Sequence, residues 1–198
     1  MIVIGLTGSI GMGKSAVAAM FAGERVPVFD ADAVVHSLQG PGGRLVSAIE
    51  AAFPGTTAAA GVDRAKLGAQ VLGDPKKLKQ LEAIVHPAVA EEREAFLAEN
   101  KDASMVVFDI PLLLEKGRQA NIDAVVVVSA SADFQRKRVL ARPGMTPEKF
   151  EKILRLQMPD DQKRALADHV IDTSATLAAT LDRVREVIAC LSARKSSS

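Results

Sequence analysis

Five short apolar runs, each about the length of a β-strand, alternate along the chain with segments of helical spacing. The runs lie at about 2–7, 26–29, 104–108, 122–128 and 168–171. The first run is apolar without a break, which is typical of a parallel strand that is buried on both faces. Strands that alternate with helices predict an α/β fold, with a parallel five-stranded sheet and helices on both of its faces.

The chain between residues 36 and 100 departs from this alternation. Asp74-Pro75 has the cap and the first-turn proline of a helix start, and His86-Pro87 is expected to separate two helices. A plain crossover needs only about a dozen residues, so this longer stretch predicts an inserted helical domain that covers a substrate. Its helical segments, which follow one another without a convincing strand, are expected at about 31–39, 43–53, 64–72, 75–84 and 87–99.

The composition excludes several classes of protein. The 198 residues include 25 Lys and Arg against 24 Asp and Glu, so the sequence lacks the basic excess of a nucleic-acid-binding tract. Cys190 is the only cysteine, which excludes an intrachain disulfide and a thiolate metal site. No apolar run reaches the ~18 residues of a membrane span, and the N-terminus lacks the charged region of a secretory signal. We therefore expect a cytoplasmic protein that binds neither nucleic acid nor membrane.

The first apolar run leads directly into a phosphate-binding motif. Such a motif, G-x-x-x-x-G-K-[ST], cradles phosphates with backbone amides at the start of a helix. Its lysine reaches the β- and γ-phosphates of a nucleoside triphosphate, and its hydroxyl residue binds Mg²⁺. The alternative is a glycine-rich turn that contains Lys-Ser by chance. The motif, called the phosphate loop below, consists of Gly8, Ser9, Ile10, Gly11, Met12, Gly13, Lys14 and Ser15.

Acidic residues follow two of the predicted strands. In open parallel sheets, ligands bind beyond the carboxyl ends of the strands, so these carboxylates are expected at the same edge as the phosphate loop. We expect one of Asp30 and Asp32 to cap the next helix and the other to take part in chemistry. Asp109 ends the third strand, where a carboxylate of a nucleotide-binding protein serves Mg²⁺ directly or through water. A solvated strand end is the alternative for Asp109.

A cluster of basic residues follows the fourth strand. Arg138 and Arg142 lie four residues apart, on one helical face, close to Pro143-Gly144, where a mobile segment could hinge. Arginines on a closing lid stabilise the charge of a phosphoryl group during its transfer. We interpret residues 137–159 as such a lid, and a solvated helix face is the alternative.

The reaction class follows from this layout. A GTPase would need an N-K-x-D motif, and Asn100-Lys101-Asp102 fails to match it. A small chain with a helical insertion and an arginine-bearing lid has the layout of a small-metabolite kinase, which must exclude water from its site. The alternatives are a kinase that acts on a nucleoside or nucleotide, and a nucleotide-binding switch without catalysis.

Five motifs, in this order, make the chain resemble the dephospho-coenzyme A kinase family over almost its whole length. The phosphate loop alone is generic, whereas the ordered set is specific to that family. The matching segments are residues 5–15, Asp30-Ala31-Asp32, Ile84-Val85-His86-Pro87, residues 109–115, and Gln157 with residues 167–172.

The resemblance implies ATP-dependent phosphorylation of the ribose 3′-hydroxyl of dephospho-coenzyme A, with Mg²⁺ as cofactor. The substrates would be ATP and dephospho-coenzyme A, and the protein would be a monomer or a weak homo-oligomer. The resemblance also implies three parts. These are a nucleotide-binding core at 1–35, 101–136 and 160–198, a helical acceptor domain at 36–100 and the lid at 137–159.

The resemblance also assigns roles to individual residues. It places Lys14 and Ser15 at the phosphates and the metal, Asp32 as the base beside the acceptor hydroxyl, and Arg142 on the transferring phosphate. Arg138 and Thr173 would contact ATP. The acceptor site would be lined by His86, Pro111, Leu112 and Leu113. For His86 by itself, a structural hydrogen bond at a helix boundary remains the alternative.

Three positions depart from the family pattern. Ser9 replaces a common glycine, which we expect to be harmless because serine is also small. Pro143 stands where many members have an acidic residue, and it changes the expected geometry of the lid. Thr173 replaces a frequent asparagine, with little expected effect if backbone groups hold the adenine.

Overall fold

A computed structural model describes residues 1–115 and 121–195, and these fall into two compact units. The first unit combines residues 1–29 with the described residues from 102 onward, and the second consists of residues 30–101. In chain order the elements are β1 (Ile2–Thr7), α1 (Lys14–Gly23), β2 (Val28–Asp30), α2 (Ala31–Gln39), α3 (Val46–Ala52), β3 (Thr57–Ala58), β4 (Gly61–Val62), α4 (Arg64–Val71), α5 (Pro75–Glu99), β5 (Met105–Asp109), β6 (Ala124–Ser129), α6 (Ala132–Leu140), α7 (Pro147–Arg155), α8 (Asp160–Ala165), β7 (His169–Asp172) and α9 (Leu177–Lys195).

The first unit is built on a five-stranded sheet of order β2-β5-β1-β6-β7. The pairings of β1 with β5, of β1 with β6 and of β6 with β7 are parallel. The predicted five-stranded α/β sheet is therefore confirmed, with strand bounds that shift by one or two residues. At β5 the shift brings Asp109 into the strand, because that residue pairs in register with Leu6 of the central strand.

The central strand β1 contacts different partners on its two faces, because successive side chains point to opposite sides. Ile4 and Leu6 lie in a buried cluster that includes Phe21 of α1 and Leu191 of α9. On the opposite face, Gly5 leaves room for the side chain that follows β5. A Cβ atom at Gly5 would lie 2.6 Å from Leu113 Cδ2. Both faces of the central strand are therefore tightly packed.

The second unit is mostly helical and has its own core. Its buried apolar residues come from all four helices and from the turns between them, and they include Leu38, Ile49, Phe53, Leu67 and Ala88. Asp74 caps α5 by accepting the amides of Lys76 and Lys77, as the sequence predicts. None of the helices in the described ranges is both long enough and apolar enough to cross a membrane.

Two sequence predictions for this unit are wrong. The expected break at His86-Pro87 does not occur, because α5 continues as one helix of 25 residues with Pro87 inside it. Proline inside a helix removes a backbone hydrogen bond and costs about 3 kcal/mol. Here apolar residues on both sides of Pro87, among them Leu81 and Val89, pack against the same core, and this burial favours a continuous helix.

The second error is a small hairpin that the sequence analysis misses. Strands β3 and β4 pair antiparallel, with Thr57 opposite Val62 and Ala58 opposite Gly61. Two residues per strand are too few to produce an alternating apolar pattern. The hairpin is supported instead by Glu50, whose carboxylate accepts hydrogen bonds from the Gly55 amide and from Thr57.

Candidate active site

The phosphate loop connects β1 to α1 with the backbone that its glycines allow. Gly11 and Gly13 have φ angles of 78° and 89°, in the left-handed region where only glycine is free of strain. Gly13 is also the N-cap of α1, and no described side chain accepts a hydrogen bond as a cap there. The first amides of α1 are therefore open to an anion, as in other phosphate sites at helix N-termini.

Lys14 and Asp109 meet at this loop. The Lys14 ammonium forms an ion pair with Asp109 Oδ1, and the two side chains are 17% and 4% exposed. The pair forms because β5 lies beside β1, in a register that sets Asp109 opposite Leu6. The edge of the sheet thus carries a cation and a carboxylate side by side, beside a helix N-terminus.

The donor atoms at this edge fit Mg²⁺ bound together with a triphosphate. Magnesium takes oxygen ligands, and in nucleotide sites it keeps several waters and uses one or two protein oxygens plus phosphate. The exposed Ser15, next to Lys14, and Asp109 supply such oxygens. Across residues 1–115 and 121–195 there is no group of three or more His, Cys, Asp or Glu that could hold a metal alone. A divalent ion here would depend on the nucleotide for most of its ligands.

Thr173 fastens the other side of the phosphate loop. Its buried hydroxyl donates to the Met12 carbonyl at 2.7 Å, and it accepts a hydrogen bond from Arg138 Nη1 at 2.8 Å. Arg138 Nη2 also donates to the Thr173 carbonyl at 2.6 Å. The guanidinium lies 5.6 Å from the centre of the Phe134 ring, within range of a cation–π contact. Arg138 is therefore held against the loop that follows β7.

A carboxylate stands next to this arrangement. The Ser174 amide donates to Asp172 Oδ1 at 2.8 Å, and this hydrogen bond is the main reason that the pKa of Asp172 lies below its ordinary value. The positive charges of Arg164 and Arg138 lower the pKa of Asp172 further. Asp172 is therefore ionised at neutral pH and adds negative charge beside Arg138.

Two glutamines hold Ile10, in the outer part of the phosphate loop. The Ile10 amide donates to Gln157 Oε1 at 3.0 Å, and Gln135 Nε2 donates to the Ile10 carbonyl at 2.8 Å. Gln157 belongs to the family motif, whereas sequence reasoning missed Gln135. The only indication of Gln135 in the sequence is its helical spacing, because it lies four residues before Val139, which is buried on α6. Both backbone groups of Ile10 are therefore fixed by side chains.

Arg142 lies in the turn that follows α6. Its side chain is exposed, and its guanidinium forms no hydrogen bond or ion pair with the residues that the structure describes. Gly144, two residues later, has a φ angle of 72°, which suits a sharp change of chain direction. Arg155 of the predicted lid lines a cavity of about 360 Å³ together with Ser9 and Gln157.

The three residues predicted from the segment after β5 differ in exposure. The Pro111 carbonyl accepts a hydrogen bond from the Thr7 hydroxyl at 3.0 Å, which ties the segment to the end of β1. Leu113 is buried against Gly5, whereas Leu112 is 40% exposed. Among the three, Leu112 is the most exposed, Pro111 is partly exposed and Leu113 is buried.

Asp32 belongs to a cavity of the second unit. Asp30 caps α2 by accepting the Ala33 amide, which confirms that one of the two aspartates is a cap. Asp32 is exposed in the first turn of α2, and it lines a cavity of about 460 Å³ together with Arg64 and Gln39. Sequence reasoning missed Arg64, the first residue of α4, which has no motif around it. His86 is exposed on α5 and does not belong to the lining of this cavity.

The comparisons with known proteins agree on one family. The sequence model of the dephospho-CoA kinase family CoaE matches residues 2–179. A dephospho-CoA kinase of Novosphingobium aromaticivorans is 65% identical over 186 residues, which are 94% of this chain and 92% of that protein.

Solved structures have the same fold. The structure of TT1252 from Thermus thermophilus is 34% identical, with a TM-score of 0.82 over 96% of both chains. A dephospho-CoA kinase from Campylobacter jejuni is 22% identical and has a TM-score of 0.63, again over 96% of both chains. At that identity, the second structure supports the fold alone.

Replacing Thr173 with valine tests the contacts that fasten the phosphate loop. The substitution keeps the shape but leaves the Met12 carbonyl without its donor and Arg138 Nη1 without its acceptor, while Arg138 Nη2 keeps the Thr173 carbonyl. We therefore expect a loss of about 1–3 kcal/mol in the free energy of unfolding. Because the loop loses an anchor, we expect ATP binding to weaken about tenfold. Urea denaturation and titration with a fluorescent ATP analogue measure the two effects.

Thr180→Val is the matched control for this experiment. Thr180 is also buried, but its hydroxyl donates to the carbonyl of Thr176, the residue before α9. We expect unchanged ATP affinity in this variant. Equal ATP affinity in Thr173→Val and Thr180→Val would contradict the role of Thr173.

Proposed function

The chain belongs to the dephospho-CoA kinase family, and we propose from this membership how its residues carry out the reaction. The activity is ATP-dependent phosphorylation of dephospho-CoA in coenzyme A biosynthesis. We assign the transfer to the γ-phosphoryl group of ATP, with the ribose 3′-hydroxyl as acceptor and with CoA and ADP as products. The observation that carries the donor side of the assignment is the meeting of Lys14 and Asp109 beside the open amides of α1, and the acceptor rests on the family membership.

The phosphate loop is the donor side of this mechanism. Its amides bind the phosphates of ATP, and the Lys14 ammonium binds the oxygens of the β- and γ-phosphates. Ser15 and Asp109 would hold Mg²⁺, which neutralises phosphate charge when it is bound. Thr173 and Arg138 support the loop from the side of β7.

Asp32 is the base in this proposal. It accepts a hydrogen bond from the 3′-hydroxyl and takes its proton as the bond between oxygen and phosphorus forms. In a loose transition state, such a base mainly orients the attacking oxygen. The cavity that Asp32 shares with Arg64 supports this role, because the guanidinium can bind an anionic group of the acceptor while the carboxylate contacts its hydroxyl.

Arg142 is the arginine that stabilises the transferring phosphoryl group, on a lid formed by residues 137–159. Its exposure and its position before Gly144 support this assignment, because the side chain is available to a ligand. His86, Pro111, Leu112 and Leu113 remain the proposed lining of the acceptor site, with Leu112 as the exposed apolar contact.

A cytoplasmic location and a monomer or weak homo-oligomer complete the proposal. A single exposed cysteine is compatible with a reducing compartment. The near-neutral net charge of +1 gives no electrostatic reason to expect nucleic acid as a partner. Light scattering of the purified protein would measure its oligomeric state.

The choice of acceptor tests the proposed reaction. We expect rapid ADP release when Mg²⁺ and ATP are supplied with dephospho-CoA, and none above background when nucleosides or nucleoside monophosphates replace it. A coupled assay of ADP measures both rates. Turnover with a nucleoside or its monophosphate instead would favour a different kinase. ATP binding without turnover on any acceptor would favour a nucleotide-binding switch.

Asp32→Asn tests the base. The amide cannot accept the proton, so we expect kcat to fall at least about 100-fold while ATP affinity stays within about threefold. Asp30→Asn is the matched control, because asparagine caps a helix as well as aspartate does. Steady-state kinetics and ATP titration of both variants give the comparison. A kcat of Asp32→Asn equal to that of the control would remove the base assignment.

Arg142→Ala tests the lid arginine. We expect kcat to fall about 1,000-fold, the scale on which such an arginine acts in phosphoryl transfer. Arg136→Ala is the control, since Arg136 is an exposed arginine of α6. A loss below about threefold in Arg142→Ala would identify an ordinary solvated side chain.

A further inference from the structure

A fully buried lysine of the first unit forms an ion pair with a residue to which the proposed function gives no role. Lys163 of α8 is 0% exposed, and its Nζ lies 2.7 Å from Glu115 Oε1. The Glu115 side chain is 15% exposed. Lysine is almost never fully buried unless it is paired, so this pair has to form as the unit folds.

The same carboxylate oxygen also holds the backbone. Glu115 Oε1 accepts a hydrogen bond from the Met158 amide at 2.9 Å. That amide belongs to the peptide that joins Gln157 to Met158, and the six atoms of a peptide unit are planar. Glu115 therefore fixes the orientation of the peptide group directly after Gln157.

Gln157 in turn contacts the phosphate loop. Its Oε1 accepts the hydrogen bond from the Ile10 amide at 3.0 Å. The contacts thus run without interruption from Lys163 through Glu115 and the Gln157-Met158 peptide to Ile10. Ile10 is the only residue of the phosphate loop whose amide and carbonyl are both seen bonded to glutamine side chains in the described ranges.

Glu115 keeps its charge in this position. Burial is the largest influence on its pKa and raises it, but the close Lys163 ammonium and the backbone hydrogen bonds, that from the Met158 amide among them, lower the pKa below the ordinary value. The carboxylate is therefore ionised at neutral pH, and its fixed oxygen can accept both donors at once.

We propose that Glu115 is a positioning residue for phosphoryl transfer, because its carboxylate, held by buried Lys163, fixes the Gln157-Met158 peptide so that Gln157 restrains Ile10 of the phosphate loop. The kinetic part of this inference rests on the proposed function, and the structural part does not. Misplacing reacting groups by about 1 Å can cost about 100-fold in rate. The Glu115 oxygen that accepts the Met158 amide therefore acts on turnover through the geometry of the phosphate loop.

A purely stabilising ion pair would behave differently, and paired variants separate the two roles. Removing one partner of a buried pair leaves an uncompensated charge, whereas replacing both partners with apolar residues is often neutral for stability. We compare Glu115→Leu/Lys163→Met with Glu115→Gln/Lys163→Met. Both remove the two charges, but only the glutamine retains an oxygen that can accept the Met158 amide.

We expect the two double variants to unfold at similar temperatures. In the leucine variant we expect kcat to fall between about tenfold and 100-fold, and the Ile10 amide to exchange with solvent faster than in the wild type. In the glutamine variant we expect kcat to stay within about threefold of the wild type. The pair of Arg185 and Glu24, whose side chains are 55% and 29% exposed, provides the control, and Glu24→Leu/Arg185→Met should leave kcat unchanged.

The inference is overturned if the leucine variant keeps both the kcat and the Ile10 protection of the wild type. Equal losses of kcat in the leucine and glutamine variants would also overturn it.

Hydrogen exchange of the wild type provides a measurement that needs no variant to fold. If Ile10 is held through the Gln157-Met158 peptide, the Ile10 and Met158 amides should open together. Exchange of Met158 at least tenfold faster than that of Ile10 would overturn the inference.

This design keeps the two hypotheses apart. Absence of turnover by the wild type on dephospho-CoA would refute the proposed function, whereas amide exchange does not depend on turnover. An active wild type with an equally active leucine variant would refute the inference alone.

Discussion

The position of Asp109 beside Lys14 is the constraint on which the rest of the first unit depends. It requires β5 to pair with β1 in one register, because a shift by one residue would turn the carboxylate to the other face of the sheet. That register requires Gly5 to leave space for Leu113. One strand register therefore has to satisfy both the packing of the central strand and the position of the charges at its end.

The phosphate loop is held by side chains from segments far away in the sequence. Thr173 binds the Met12 carbonyl, Gln135 binds the Ile10 carbonyl and Gln157 binds the Ile10 amide. Glycine gives the loop a backbone that few other residues allow, but the same freedom costs conformational entropy on folding. Contacts from the loop after β7, from α6 and from the segment after α7 offset that cost, so the phosphate loop keeps its shape because its neighbours specify it.

The sequence predicts those features that leave a local signal. The apolar runs predict the five strands, and the glycine spacing of residues 8–15 predicts the loop before α1. Features that depend on tertiary packing leave no such signal. The continuity of α5 across Pro87 depends on apolar residues before and after the proline that pack into the same core. Arg64 and Lys163 look like ordinary surface charges until the fold places one in a cavity and the other in the interior.

Pro87 has a consequence for the mechanics of α5. Proline has no amide hydrogen, so the Ala83 carbonyl lacks the helical donor that every regular turn provides. The helix bends more easily at this point than elsewhere, because one of its backbone hydrogen bonds is missing and helix kinks concentrate at proline. The exposed His86 lies directly before Pro87, where this hydrogen bond is missing. The longest helix in the described ranges thus combines a packed apolar face with one point where it bends more easily.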